Sequence, residues 1–544
     1  MQTTKNKQNW IKNLFKINDF KYIFKLTLPL FIQTFFFACV ALIGSLASTI
    51  YNKIYHLDGS YNGAYFYTFS KIISVYKVIT FIPLIYQLGV LVLVSNVWGQ
   101  DKKDDIPKIL WSAFYISLII NTICYFILFG IAPIALKAAG VADKPIIGFK
   151  NKDDYRLYLE NFRLAVSKGI SETEANSYLF NLRDLNSFDT NLFSGINQAN
   201  NYYVIENSEA KFAIQFLRIT SIDIFTFSIA TILTSSLQAI EKNKYAIIGV
   251  IVSIVVRTTW TYTIMFAPKN NSFVILVSLE TIIGSITTAA ISYIFVRKFI
   301  LKNHSIKFKQ SWNNKYVRET LKLGFPIALE TGIWYIAQYF IAAAIPFGGG
   351  EDQYIGLWRA VNNTYDIFNS FVMALSFVTS VVVATEIGKQ DFDKAHDLGV
   401  DALKIGFWGQ LAFSILGVIC TWPALRIYSI QTETINKLGY TIMGLMMLKA
   451  LFDIGNLTTL RALWGVNDVW MPNLVALITM IGVQLSFVYL IGMIQHTKPM
   501  AEKLAQESYL ILIVAVTLLD PIFRTILFNL RWKNRAWMKY AKKL

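Results

Sequence analysis

Twelve long apolar stretches lie between Leu26 and Leu530, and the last six repeat the landmarks of the first six. Runs of about twenty mostly apolar residues are long enough to cross roughly 30 Å of hydrocarbon. They fall near 26–50, 64–98, 109–136, 212–240, 245–268, 272–296, 323–347, 353–385, 405–425, 438–464, 469–495 and 508–530. In lipid each segment must satisfy its own backbone hydrogen bonds, so the pattern predicts helices and excludes spanning strands. The fold class expected is an all-α polytopic membrane protein: twelve spans in two parallel six-helix lobes around a central cavity. Two such lobes that rock against each other are suited to moving a solute.

Charge is scarce and unevenly placed. Only 16% of the residues are charged, against about 25% in ordinary soluble domains. The 51 Lys and Arg gather in three places: the N-terminal tail (residues 1–25), the linker between the halves (297–322) and the C-terminal tail (531–544). This asymmetry predicts that both termini are cytoplasmic, in a multi-pass protein of the plasma membrane. The net charge of +17 then faces anionic lipid; no soluble basic face offers itself to nucleic acid. The first apolar run is too long for a signal segment and lacks a small-residue cleavage site, so it is expected to stay as span 1. Trp10 to Phe24 alternates apolar and basic residues, and reads either as a helix lying on the inner membrane surface or as a disordered basic tail. Cys39, Cys124 and Cys420 fall singly in apolar spans, and the four histidines form no cluster. Neither a disulfide framework nor a metal centre is expected.

The repeat is carried by short motifs. Span 1 opens with KLTLPLFI around Pro29, and span 7 opens with KLGFPIAL around Pro326. Span 2 ends in LVSNVWGQDK, and span 8 ends in VATEIGKQDFDKA, each with a charged turn after Gly99 or Gly388. Span 4 ends in TSSLQAIEKNKYA, and span 10 ends in TTLRALWGVNDVWMP. With six helices per half, both halves enter from one side and the repeat is parallel. The N-terminal half is residues 26–296 and the C-terminal half is residues 323–530. A polar insertion, 143–211, separates spans 3 and 4. Within it SETEANSYLFNLRDL reads as a short helix with a Ser171–Glu174 capping box, preceded by a helix near Asp153 to Lys168. It is either a small decorative subdomain or a lid or partner site over the outer mouth.

A charge at mid-membrane costs at least about 2.5–3.5 kcal/mol, so each one needs a reason. The spans carry Lys71, Lys77, Arg218, Asp223, Arg257, Glu280, Glu330, Arg359, Asp366, Lys449, Asp453, Arg461, Asp520 and Arg524. Lys449 with Asp453, and Asp520 with Arg524, are spaced i,i+4 and are expected to face each other. Glu280, Glu330 and Asp366 have no basic neighbour on their own span and are the stronger candidates for a binding site; Asp223 is a further one. Glu330, Trp334 and Gln338 follow at helical spacing, and a carboxylate beside an indole suits an organic cation. Asp366 shares a face with Asn362, Asn369 and Ser370, an oxygen-rich set suited to Na⁺. Asp453 with Asn456 offers the same chemistry, and Lys449 is expected to neutralise Asp453 when no cation is bound.

In order and in both halves, these motifs resemble the multidrug and toxic compound extrusion (MATE) transporters over about residues 20–531, the insertion apart. The resemblance implies two six-helix bundles enclosing a central cavity. It also implies export of organic cations and other amphiphiles, driven by inward Na⁺ or H⁺, with no other cofactor. Asp453, eleven residues before Trp464, stands where many bacterial members carry a cation-binding Asp. Two positions depart from the pattern: Gly44 stands where many members have an Asp in span 1, and Trp334 where many have a Glu in span 7. Coupling through the C-terminal lobe is therefore expected. The alternative is a flippase for a lipid-linked or anionic headgroup, favoured by the intramembrane basic residues. An enzyme is not expected, since no nucleophile elbow or phosphate loop appears. The partners expected are the bilayer and a small-molecule substrate, with the chain as a monomer.

Overall fold

A computed structural model describes residues 17–55, 64–139, 141, 143, 146–149, 152–170, 172–179, 194–196, 202–266, 273–302, 312–347, 352–428, 430, 432–497 and 505–541. The membrane part is all helix. The spans are α1 (Phe20–Tyr55), α2 (Ala64–Ile79 and Phe81–Gly99), α3 (Ile106–Ala138), α4 (Glu209–Thr220 and Asp223–Ala239), α5 (Asn243–Phe266) and α6 (Phe273–Val296). In the second half they are α7 (Asn314–Phe347), α8 (Asp352–Gly388), α9 (Phe392–Ile419), α10 (Thr432–Gly465), α11 (Trp470–Thr497) and α12 (Glu507–Lys533). All twelve overlap the apolar stretches read from the sequence. The largest difference is α9, which begins at Phe392 rather than near 405 because the charged turn after α8 continues directly into helix.

The two halves repeat each other in burial as well as in order. Within the apolar windows, 78% of α2 and 83% of α8 is buried, so these equivalent helices form the centre. Their counterparts α3 and α9 are 11% and 33% buried and lie at the rim, where Phe126, Ile134 and Ile419 face outward. Such all-round apolar helices have no water-facing stripe, as expected of a lipid-exposed surface.

The repeat extends to backbone dihedrals. Asp101 after α2 and Gln390 after α8 both adopt positive φ (58° and 65°). So do Glu241 after α4 and Asn467 after α10 (60° and 66°). Each closes the same two-bond cap. Asp101 N–H donates to the Trp98 carbonyl and Lys102 N–H to Val97; Gln390 N–H donates to Ile387 and Asp391 N–H to Glu386. Glu241 and Lys242, then Asn467 and Asp468, repeat the pattern. These are left-handed caps that satisfy the last helical carbonyls. The motifs WGQDK, GKQDF, AIEKN and WGVND are therefore turn signals shared by both halves.

Residues 17–19, the described ends of the linker (302 and 312–313) and residues 534–541 share one face of the molecule, called here the terminal face; the described elements between α3 and α4 lie on the other. Along the half of the bundle next to the terminal face the two lobes touch backbone to backbone. A Cβ at Gly388 of α8 would lie 2.5 Å from the Asn96 carbonyl oxygen and 3.2 Å from Gly99 Cα, both on α2. A Cβ at Gly89 would lie 2.5 Å from the Thr320 carbonyl of α7. Gly324 packs as closely on Ile85, and Gly99 on Thr385. Small residues allow such close helix approach in membranes. Asp401 of α9, 4% exposed, accepts the backbone N–H groups of Asn18 (2.8 Å) and Asp19 (3.0 Å) at the foot of α1. Lys394 meets the Asp19 carboxylate at 2.6 Å. The stretch Trp10 to Phe24 is described only from residue 17, and from Phe20 it is already α1.

The insertion holds the helices Lys152–Ser167 and Glu172–Leu179, as read from the sequence; Ser171 of the expected capping box lies outside the described residues. It also contains an element absent from that reading, an antiparallel ribbon of β1 (Ile146–Phe149) and β2 (Tyr202–Glu206). Ile146 joins an apolar cluster with Ile72 and Val75 of α2 and Phe212 and Leu217 of α4.

Candidate functional site

The charged residues of the C-terminal lobe form two buried networks. In the first, Lys449 Nζ lies 2.7 Å from Asp453 Oδ2 and 3.1 Å from the Tyr365 hydroxyl. Tyr365 donates to the same Asp453 oxygen, and Asn456 Nδ2 donates to Asp453 Oδ1 at 3.1 Å. α10 changes pitch directly after Asp453, with a π-helical turn over Ile454–Thr458. Such turns recur at functional sites. In the second network Arg524 of α12 pairs with Glu330 of α7 and lies 3.4 Å from Asp520, which accepts from Thr479 at 2.6 Å.

The N-terminal lobe is wired in the same way. Arg257 of α5 pairs with Glu280 of α6 at 3.1 Å, and Lys71 with Glu209 at 3.1 Å. Asp223, 4% exposed, accepts from Tyr76 (2.9 Å) and Thr226 (2.7 Å). A buried ion pair is tolerated when its geometry and remaining hydrogen bonds are good; Glu209 Oε1 also accepts from Thr68 at 3.1 Å, while its Oε2 is buried without a partner among the described residues.

The two expected i,i+4 pairs are present, but two other expectations need correction. Glu280 and Glu330 were singled out because no basic residue stood near them on their own helix. Each instead meets an arginine from another helix, since a packed bundle brings together charges far apart in sequence. Glu330 is buried on Arg524, whereas Trp334 is half-buried with its ring tilted against that of Tyr335, 5.1 Å between ring centres. Glu330 is thus not an open carboxylate beside an indole. The oxygen cage expected around Asp366 is not assembled either. Asn362 donates to its own helix at Trp358, and Ser370 to Ile367.

Asp366 itself stands apart. It is solvent-exposed in the insertion-side half of α8 and makes no hydrogen bond or ion pair among the described residues. Lys77 of α2 and Lys449 of α10 are the cations whose fields reach it. Lys77 is exposed, and its ammonium likewise has no bonded partner among the described residues. The two side chains belong to opposite lobes and lie beyond the closed half of the bundle. Tyr335, Tyr365 and Tyr428 lie within the field of Asp366. The residues that sequence reasoning missed are Tyr365 and Tyr76; only adjacency to Asp366 hinted at the first, and nothing marked the second.

Twelve spans in two repeated six-helix lobes, with charged networks inside each lobe, define a polytopic membrane protein of the two-lobe transport fold. The family model MatE matches residues 337–490, from α7 into α11. The uncharacterized transporter YisQ of Bacillus subtilis is 23% identical over 265 residues, 48% of this chain and 55% of that protein. A probable multidrug resistance protein NorM of Bacillus thuringiensis is 23% identical over 293 residues, 52% of this chain and 63% of that protein. The chain therefore spans under two thirds of the length of these curated relatives. Among solved structures, a MOP superfamily transporter from Pyrococcus furiosus superposes with TM-score 0.68 at 11% identity, covering 98% of both chains. The binding pocket of that transporter has a reverse polarity, which suggests a different function for it. An outward-facing multidrug resistance MATE transporter superposes with TM-score 0.67 at 12% identity, over 96% of this chain and 97% of that one. The chain is thus similar to MATE transporters in the sequence of its second half and in its overall fold.

Proposed function

We propose that the chain is a secondary active transporter that exports amphiphilic, cationic organic compounds in exchange for inward Na⁺ or H⁺. The observation that carries this reading is Asp366, an exposed carboxylate on α8 without a bonded partner among the described residues. A carboxylate with no cation bonded to it suits an organic cation through charge. A proton or Na⁺ arriving at the same carboxylate would compete with the substrate, and that competition is the coupling. The lysine-rich terminal face is assigned to the cytoplasm. The lobes, closed on that face, are then in the outward-facing state, and rocking about the glycine contacts alternates access. The substrate is a small molecule, and the chain works as a monomer in the plasma membrane.

Lys77 favours a second reading. An exposed ammonium on the N-terminal lobe, without a bonded partner among the described residues, suits an anionic headgroup, as a flippase would need. Proteoliposomes decide between the two. Under an imposed pH or Na⁺ gradient the wild-type protein should move a fluorescent organic cation, and Asp366→Asn should not. A wild-type protein inert under both gradients would sink the cation-export reading in favour of an anionic or lipid-linked substrate.

A further inference from the structure

The oxygens around Asp453 form the kind of set that binds a hard monovalent cation. The two carboxylate oxygens, the Tyr365 hydroxyl and the Asn456 side chain converge where α10 loosens into its π-helical turn. Asn456 Oδ1 is buried with no hydrogen-bond partner. In an alkali-ion site a metal ion would sit among these atoms. Here the Lys449 ammonium does, 2.7 Å from the carboxylate, 3.1 Å from the hydroxyl and 4.7 Å from the centre of the Tyr365 ring. The side chain reaches this point from one turn earlier on the same helix, so it is held by the backbone and cannot leave the protein. All four side chains are buried.

We propose that Lys449 is a tethered cation that fills the alkali-ion position at Asp453, so this lobe does not take Na⁺ and the coupling ion is the proton. The clause on coupling rests on the exporter reading above; the clause on occupancy does not. Na⁺ entering beside the ammonium would place two positive charges against one carboxylate in a buried site. Displacing the ammonium would leave it buried and unpaired, the costly way to break such a pair. The neighbouring network is closed in the same manner, with Arg524 shared between Glu330 and Asp520. Among the described residues, Glu330, Asp453 and Asp520 each meet a cation of this lobe and Asp366 is bonded to none. The oxygens that Na⁺ would need are not assembled around it, whereas a proton neutralises a carboxylate without a ligand set.

The test uses the purified full chain and Na⁺ itself. Equilibrium binding of radioactive ²²Na⁺ is measured together with melting temperature in NaCl against choline chloride at fixed ionic strength. Wild type should bind no Na⁺ saturably and should melt at the same temperature in both salts. Lys449→Met empties the position, and this variant should gain saturable ²²Na⁺ binding and a Na⁺-specific rise in melting temperature. Both gains should vanish in Lys449→Met/Asp453→Asn. Saturable binding by wild type that is lost in Asp453→Asn would overturn the proposal. So would a folded Lys449→Met that stays indifferent to Na⁺. If Lys449→Met does not fold, Lys449→Gln takes its place, and the wild-type result decides on its own. None of these readouts needs transport, so failure of the exporter reading is separately visible. In proteoliposomes active under a pH gradient, a Na⁺ gradient alone should drive nothing.

Discussion

Replacing Gly388 by alanine should force the lobes apart at the terminal face. The added Cβ would stand 2.5 Å from the Asn96 carbonyl oxygen and 3.2 Å from Gly99 Cα, where ordinary contact begins near 3.4 Å. The deficit against Asn96 is 3.4 minus 2.5, or about 0.9 Å. Both obstacles are backbone atoms, so no side chain can swing aside and the relief must come from separating α2 and α8. Overpacking of this kind costs about 1–3 kcal/mol. At tenfold per 1.4 kcal/mol, the closed-to-open ratio should fall roughly 5- to 100-fold. The penalty is released once the lobes part, so it weighs on one conformation and spares the fold of either lobe. The assay is a spin-label distance between Lys102→Cys and Lys389→Cys, both exposed at the ends of α2 and α8. Gly388→Ala should add a longer-distance population. Gly130→Ala on α3, with nothing within 4 Å of its Cβ, should add none. An unchanged distance distribution with a lowered melting temperature would refute the reasoning, because the glycine would then be ordinary packing within a rigid unit.

Other expectations follow from the same geometry. Arg524→Ala leaves Glu330 and Asp520 buried without their cation and should destabilise the chain by about 3–5 kcal/mol, read as a loss of melting temperature; Arg524→Lys should recover part of it. Asp401→Ala removes the acceptor for two backbone N–H groups at the foot of α1, and should raise cysteine labelling at Ser112 replaced by Cys, beside the linker at Asn313. Gln390→Gly relieves a positive φ and should hold or raise the melting temperature, whereas Gln390→Val should lower stability by about 1–2 kcal/mol. The reverse order would mean that the cap is not strained.

Features that depend on nearby residues were legible in the sequence. The spans follow from run length, the two i,i+4 pairs from helical periodicity, and the repeated caps from short motifs near the ends of α2, α4, α8 and α10. Features made by packing were not. Arg524 and Glu330 are 194 residues apart, and Lys71 and Glu209 are 138 apart, so nothing local announces either pair. Glu330 and Glu280 have no basic neighbour on their own helix, yet each meets an arginine of another helix, which a reading of neighbours along one helix does not reach. Asp366 has no basic residue near it on its own helix and, among the described residues, no bonded partner either. The ribbon was missed because IIGF and YYVIE lie 52 residues apart across a polar stretch, too short to stand out alone.

That ribbon changes how the molecule can be taken apart. Ile146 faces Glu206 across it, and Ser208 at the foot of α4 donates to Asp143 at 2.6 Å. The chain thus leaves α3 and re-enters α4 at nearly one point. To the helices beneath, everything beyond that point is a loop with its neck already tied. It can be exchanged as a cassette for a short turn, or for a rigid reporter domain, without asking α3 and α4 to move. A reporter placed there would ride on the N-terminal lobe and register its tilt from outside the bundle.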